Sequence, residues 1–199
     1  PWKLEPFEIS NEKSLRYFIS QEKAIITRIT LTNVRLKDKR SGCPYIPISK
    51  CSKAADTIED NGRVLESSFI SMVITDIDFK ILDRIYKWDD MILSDTYIGD
   101  YEYLPQPLRK LIIKYFVNKC ALKDKAGEEI RYNLFKARIN AIYGLMVQNP
   151  CKALIDYDTD LDDLFKINET PLEETYYKNV KSPYNLYQWG VWCTAWSRK

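Results

Sequence analysis

Lys136, Asn140, Tyr143 and Gly144 are spaced at i, i+4, i+7 and i+8. Along a helix that advances about 100° per residue, with Lys136 at zero, Asn140 falls at about 40°, Tyr143 at about 340° and Gly144 at about 80°. The four share one face. A lysine there meets phosphate as a point charge, an asparagine and a tyrosine can lie against a base or sugar, and a glycine lets a base pair approach the backbone. That combination suits a nucleotide. A plainer alternative, a solvated lysine beside an amphipathic tyrosine at a core edge, satisfies the same spacing. Ile130, Leu134, Ala141 and Leu145 lie at about 120° to 180° on the same wheel and are expected to pack against a partner helix.

The partner is the preceding segment. Pro105 and Pro107 mark a boundary, with Pro107 suited to a first helical turn. Leu108, Leu111, Ile112, Tyr115, Phe116 and Cys120 then recur at helical spacing. Asp124 to Gly127 supplies a turn, and a second helix is expected from about Glu128 to Met146, ending before Asn149-Pro150. Two helices joined by so short a turn form an antiparallel hairpin whose tip carries Lys123 and Lys125. Between Arg109 and Arg138 nine basic residues stand against three acidic ones. That excess suits either a phosphate-facing surface or a solvated helical face.

Residues 1–103 read differently. A short amphipathic helix begins near Ser10. Ala24 to Leu36, rich in Ile, Thr, Val and Leu, reads as a strand or bulged strand. Lys37 to Asn61 reads as loops around a short strand at Tyr45 to Ile48. Phe69 to Ile74 is a further strand, Thr75 caps a helix carrying Ile77, Ile81, Leu82 and Ile85, and Met91 to Tyr103 returns to strand character. The acidic stretch from Leu154 to Glu174 reads as a surface excursion, and Gln188 to Lys199 as a helix. The expected class is α+β: a mixed sheet-bearing part with a projecting antiparallel helical hairpin.

Composition bounds the chemistry. The chain has 199 residues, a net charge of +2, five cysteines without a C-x-x-C pair, and no histidine. A zinc site or disulfide framework is not expected, and Ser-His-Asp or Cys-His hydrolysis has no base. No apolar run approaches the roughly 20 residues that span a bilayer, so a soluble, intracellular protein without membrane partners is expected. The start at Pro1 and the uncapped final helix read as cut ends of a longer chain.

Lys136-Ala137-Arg138-Ile139-Asn140-Ala141-Ile142-Tyr143-Gly144 resembles motif B of family B DNA polymerases, lysine-x3-asparagine-x2-tyrosine-glycine. Gln148-Asn149-Pro150 is similar to the continuation of that motif. Thr194-Ala195-Trp196-Ser197-Arg198 resembles the threonine-x2-small-arginine motif that comes next in order. Val73-Ile74-Thr75-Asp76-Ile77-Asp78, with the strand-loop-strand before it, looks like the insertion that protein-primed bacteriophage polymerases carry between motif A and the fingers. The resemblance implies that residues 1–103 are palm and insertion, 104–150 the fingers hairpin, and 151–199 an acidic insertion and a return to the palm.

It also implies roles. Lys136 would contact the phosphates of the incoming deoxynucleoside triphosphate, joined by Lys123 or Lys125. Asn140 and Tyr143 would line the nascent base-pair pocket, and Gly144 would permit close approach. Thr194 and Arg198 would hold the backbone of template-primer DNA. A serine usually follows the motif B asparagine, whereas Ala141 stands here. The Mg²⁺ ions of such an enzyme would be held by aspartates of motifs A and C, placed before Pro1 and after Lys199, so the chain alone is expected to be inactive. Tyr157-Asp158-Thr159-Asp160 imitates motif C but lacks its intervening residue and precedes the threonine-arginine motif, so Asp158 and Asp160 read as surface acids. A terminal, priming protein is a further implied partner, and a bacterial host cytoplasm the implied location. Two other classes fit the residues: a non-catalytic nucleic-acid-binding module and a protein-interaction domain.

Overall fold

The computed structural model describes residues 3–38, 43–147, 154–156, 166–168 and 187–198. The chain divides into two compact units, Pro1–Tyr103 with Trp192–Lys199, and Leu104–Val191. The class is α+β.

The first unit is built on the long strand β2 (Lys23–Leu36), in which β-branched residues alternate between the two faces of the sheet. It pairs on one side with β5 (Arg63–Thr75) and on the other with β7 (Asp90–Asp100). Short strands β1 (Glu5–Pro6), β3 (Cys51–Ala55), β4 (Ile58–Asp60) and β6 (Tyr86–Lys87) complete the sheet in the order β1-β7-β2-β5-β3, with β4 on β5 and β6 on β2. Every described pairing is antiparallel, so the mixed sheet expected from sequence is corrected: β5 and β7, joined through α2, run in the same direction, but β2 lies between them and runs opposite to both. The register between β2 and β7 shifts between Ile26 and Arg28. Asp95 takes a positive φ of 47° there, and the Thr27 and Thr96 hydroxyls bond each other at 2.7 Å. The extra residue lies in β7, where Asp95 and Thr96 stand opposite Thr27, whereas the sequence offered a bulge within Ala24 to Leu36.

Helices α1 (Glu12–Ser20) and α2 (Asp76–Ile85) pack on the sheet, and Leu15, Ile19, Phe79 and Leu82 join Ile25, Ile29, Leu31, Ile70 and Ile74 in one core. Asn11 caps α1 by accepting from the Ser14 N–H at 2.9 Å. Arg16 on α1 bonds Asp83 on α2 at 2.7 Å and holds its carboxyl below the usual carboxylate range.

Two expectations within Lys37–Asn61 are corrected. Tyr45 to Ile48 is not a strand: one bridge pairs Pro47 with Arg63, and Ile48–Lys50 is a 3-10 turn. Proline has no N–H to extend a ladder, which confines the pairing to that bridge. Conversely, β3 and β4 lie where loops were read. Their exposed residues carry no apolar alternation, and their order comes from main-chain bonds to β5. Asn61 (φ 47°) and Gly62 (φ 71°) form the two-residue turn from β4 to β5, where positive φ at both positions favours Asn-Gly.

The second unit contains α3 (Gln106–Leu122) and α4 (Glu129–Met146), which pack against each other. Strands β8 (Leu154–Asp156) and β9 (Lys166–Asn168) form an antiparallel ribbon within the stretch read as a surface excursion. Asp158, Asp160 and Gln148-Asn149-Pro150 lie outside the described residues. Helix α5 spans Tyr187–Trp196.

Candidate functional site

The seam of the hairpin sets which residues of α4 remain available. Tyr132, Phe135, Ile139 and Ile142 are half-buried and Met146 is buried, with Leu108, Ile112, Tyr115 and Leu122 half-buried on α3. The Tyr115 and Phe135 rings stand 5.9 Å apart, and the Arg138 guanidinium lies 5.5 Å from the centre of the Tyr115 ring. This corrects the expected packing face: Ile130, Leu134 and Leu145 are 84%, 47% and 71% exposed, and Ala141 is exposed too. The helix carries two apolar stripes. The one at about 240° to 320° on the wheel holds the aromatic rings that match Tyr115, and it takes the seam.

Lys136, Asn140, Tyr143 and Gly144 are all exposed. They flank the seam together on one side of α4, as their spacing requires. A Cβ built on Gly144 meets nothing within 4 Å among the described residues. Packing therefore gives no reason for glycine here, although glycine inside a helix costs about 1 kcal/mol relative to alanine. Lys123 ends α3, its N–H bonded to the Cys120 carbonyl at 3.3 Å, and Lys125 follows Asp124, which takes a φ of 59°. Both lysines are exposed at the hairpin tip.

Thr194 and Arg198 belong to the other unit. They stand one turn apart, and the Arg198 Nε donates to the Thr194 carbonyl at 3.1 Å. Arg198 pairs with Asp78 at 3.5 Å, and its guanidinium lies 5.8 Å from the centre of the Tyr45 ring. The Tyr45 hydroxyl donates to the same Asp78 carboxylate, and Arg63 donates to the Tyr45 carbonyl at 2.7 Å. Burial, then the bond to Asp78, pushes the Tyr45 pKa up. Burial lowers the Lys50 pKa, and the positive charge of Arg198 lowers it further. Lys50, Arg63 and Arg198 thus form a cationic group around one tyrosine and one carboxylate. Sequence reasoning missed Lys50, Arg63 and Tyr45, because 3-10 turn and strand-end residues carry no periodic signal.

The two carboxylates of the first turn of α2 are nearly buried, Asp76 at 1% and Asp78 at 7% exposure. Thr75 and Asp78 make a capping box: the Thr75 hydroxyl accepts from the Asp78 N–H at 3.2 Å, and Asp78 accepts from the Thr75 N–H at 3.1 Å. Asp76 accepts from the Trp192 indole N–H at 3.0 Å and from the Tyr101 hydroxyl at 2.7 Å. Burial, then that bond to Asp76, raises the Tyr101 pKa. Among the described residues no group of three or more His, Cys, Asp or Glu side chains is placed to hold a metal ion, and no helix is long and apolar enough to cross a membrane.

No protein-family model matches this chain, and no curated protein matches it significantly. Solved structures do. The chain is similar to Phi29 DNA polymerase complexed with primer-template DNA, with a TM-score of 0.58, 17% identity, and coverage of 98% of this chain and 29% of that one. Its similarity to the ternary complex of that polymerase with primer-template DNA and incoming nucleotide substrates has a TM-score of 0.57 at 17% identity and the same coverage. An orthorhombic crystal form of the polymerase matches with a TM-score of 0.53 at 15% identity. At these identities the likeness establishes the fold. The chain spans about 29% of the length of the polymerase chains it matches.

Proposed function

We propose that this chain is the fingers, with adjoining palm and insertion, of a family B DNA polymerase of the protein-primed bacteriophage type. The observation that carries the reading is the exposed face of α4, where a lysine, an asparagine, a tyrosine and an otherwise unexplained glycine stand together on a fold like that of Phi29 DNA polymerase. Lys136 binds the phosphates of the incoming deoxynucleoside triphosphate, aided by Lys123 or Lys125 at the tip. Asn140 and Tyr143 bound the space for the nascent base pair, and Gly144 lets it approach the helix backbone. Thr194 and Arg198 hold the phosphate backbone of template-primer DNA, with Lys50 and Arg63 adding positive charge beside Arg198.

Nucleotidyl transfer of this type uses divalent metal ions to activate the attacking hydroxyl and stabilise the leaving group. Among the described residues no ligand set for them is present; in this reading the ligands are aspartates of motifs A and C outside this chain, which itself binds and orients. Ala141 leaves no hydroxyl beside Asn140. A priming protein is the further partner in this reading.

The test is template-directed incorporation: the full protein carrying this chain, a primed template, magnesium, and each of the four deoxynucleotides in turn. Addition of only the nucleotide complementary to the template is the expected result. DNA binding without incorporation would replace this reading with the nucleic-acid-binding module.

A further inference from the structure

Asp76 is the most buried carboxylate among the described residues, and the groups around it are neutral donors. The Trp192 indole N–H and the Tyr101 hydroxyl donate to it at 3.0 and 2.7 Å, the indole N–H also reaches the Tyr101 oxygen at 3.0 Å, and the Ile25 N–H lies 3.4 Å from it. A charge withdrawn from water this far is tolerated only when hydrogen bonds and a helix N-terminus satisfy it, as they do here. Two residues on, Asp78 pairs with Arg198. One turn of α2 therefore holds α5 and the turn that follows it at two points, Trp192 and Arg198, with Thr194 between them.

We infer that Asp76 is a positioning residue for template-primer binding: through the Trp192 indole it fixes the rotation of α5, and with it the direction in which Thr194 and Arg198 face DNA phosphates. The inference rests on the proposed role of Thr194 and Arg198. Packing of Trp189, Trp192 and Ala195, all buried, holds α5 in place but is non-directional and does not by itself fix the roll of the helix about its axis. A directional bond from an indole N–H to a carboxylate resists that roll, because rotation breaks a charge-assisted hydrogen bond inside the core. Trp192 and Ala195 are buried while Arg198 is half-buried, so a roll moves the arginine relative to the surface.

The experiment compares the full protein with its Trp192→Phe, Asp76→Ala and Arg198→Ala variants. Primer-template affinity is measured as a function of salt, beside kcat and the nucleotide KM at saturating DNA. Trp192→Phe removes the donor and keeps a smaller aromatic ring, so it decides the question if Asp76→Ala fails to fold, with thermal stability measured beside it to register the lost packing. The expected result is primer-template binding weakened about tenfold in Trp192→Phe and Asp76→Ala, with the log–log salt slope flattened toward that of Arg198→Ala by up to about one phosphate contact, and the nucleotide KM unchanged. Wild-type affinity and slope in Trp192→Phe, with Arg198→Ala impaired, overturns the inference and leaves the polymerase reading standing. A wild-type protein that does not bind primer-template removes both.

Discussion

Replacing Tyr86 by phenylalanine removes one oxygen atom and should cost about 3 kcal/mol. Tyr86 is fully buried. Its hydroxyl accepts from the N–H groups of Tyr45 and Ile46 at 2.9 and 3.2 Å and donates to the Val64 carbonyl at 2.7 Å. A net hydrogen bond contributes about 1 kcal/mol, and a buried donor left without a partner costs about 1 to 3 kcal/mol. Three bonds are lost and two backbone donors stranded, while the Val64 N–H keeps its bond to the Ile46 carbonyl at 2.9 Å and limits the collapse. The sum is about 3 kcal/mol, relieved somewhat if water enters. Denaturant titration gives the stability loss, and hydrogen exchange gives its location, since the Tyr45 and Ile46 amides should lose protection first. Tyr45 lies under Arg198, so primer-template affinity should fall as well. A stability change below about 0.5 kcal/mol with both amides still protected would refute the reasoning, since it would mean that the hydroxyl satisfies nothing that matters.

Thr75→Ala removes the cap of α2 and one donor to Asp78, and should cost about 1 to 2 kcal/mol in the same titration, whereas Thr75→Ser should recover most of it. Alkaline conditions give another check, because burial pushes the pKa values of Tyr45, Tyr86 and Tyr101 up. The folded state then holds these protons more tightly than the unfolded chain. Their contribution is whole below about pH 10 and is lost as pH rises above it, so the denaturant midpoint should fall as pH rises from about 10 toward 12; a midpoint that rises there would contradict the assigned bonds.

The strands and helices with strong periodicity were legible in the sequence: β2, β5 and β7 from their β-branched residues, α2 from the Thr75 cap, and the hairpin from two apolar runs around a turn. The four-residue face of α4 was legible because helical geometry alone places Lys136, Asn140, Tyr143 and Gly144 together. Which apolar stripe of α4 would be buried was not, since Ile130, Leu134 and Leu145 are as apolar as the seam that wins, and the aromatic match with Tyr115 lies on another helix. The strands β3 and β4 escaped notice because main-chain bonding leaves no mark on polar, exposed residues. Asp76 and Asp78 carried no reading beyond their place in the Val73 to Asp78 stretch, because only the tertiary fold brings them Trp192, Tyr101, Tyr45 and Arg198 from far along the chain.

The central claim concerns the exposed face of α4, and Lys136→Ala tests it most directly. Primer extension by the full protein with magnesium, titrated in nucleotide, separates kcat from the nucleotide KM at saturating DNA. The account predicts a nucleotide KM raised at least tenfold in the variant, with primer-template affinity and thermal stability unchanged, as for an exposed lysine that contacts only phosphate. A variant that extends primers as the wild type does at low nucleotide concentration would contradict it.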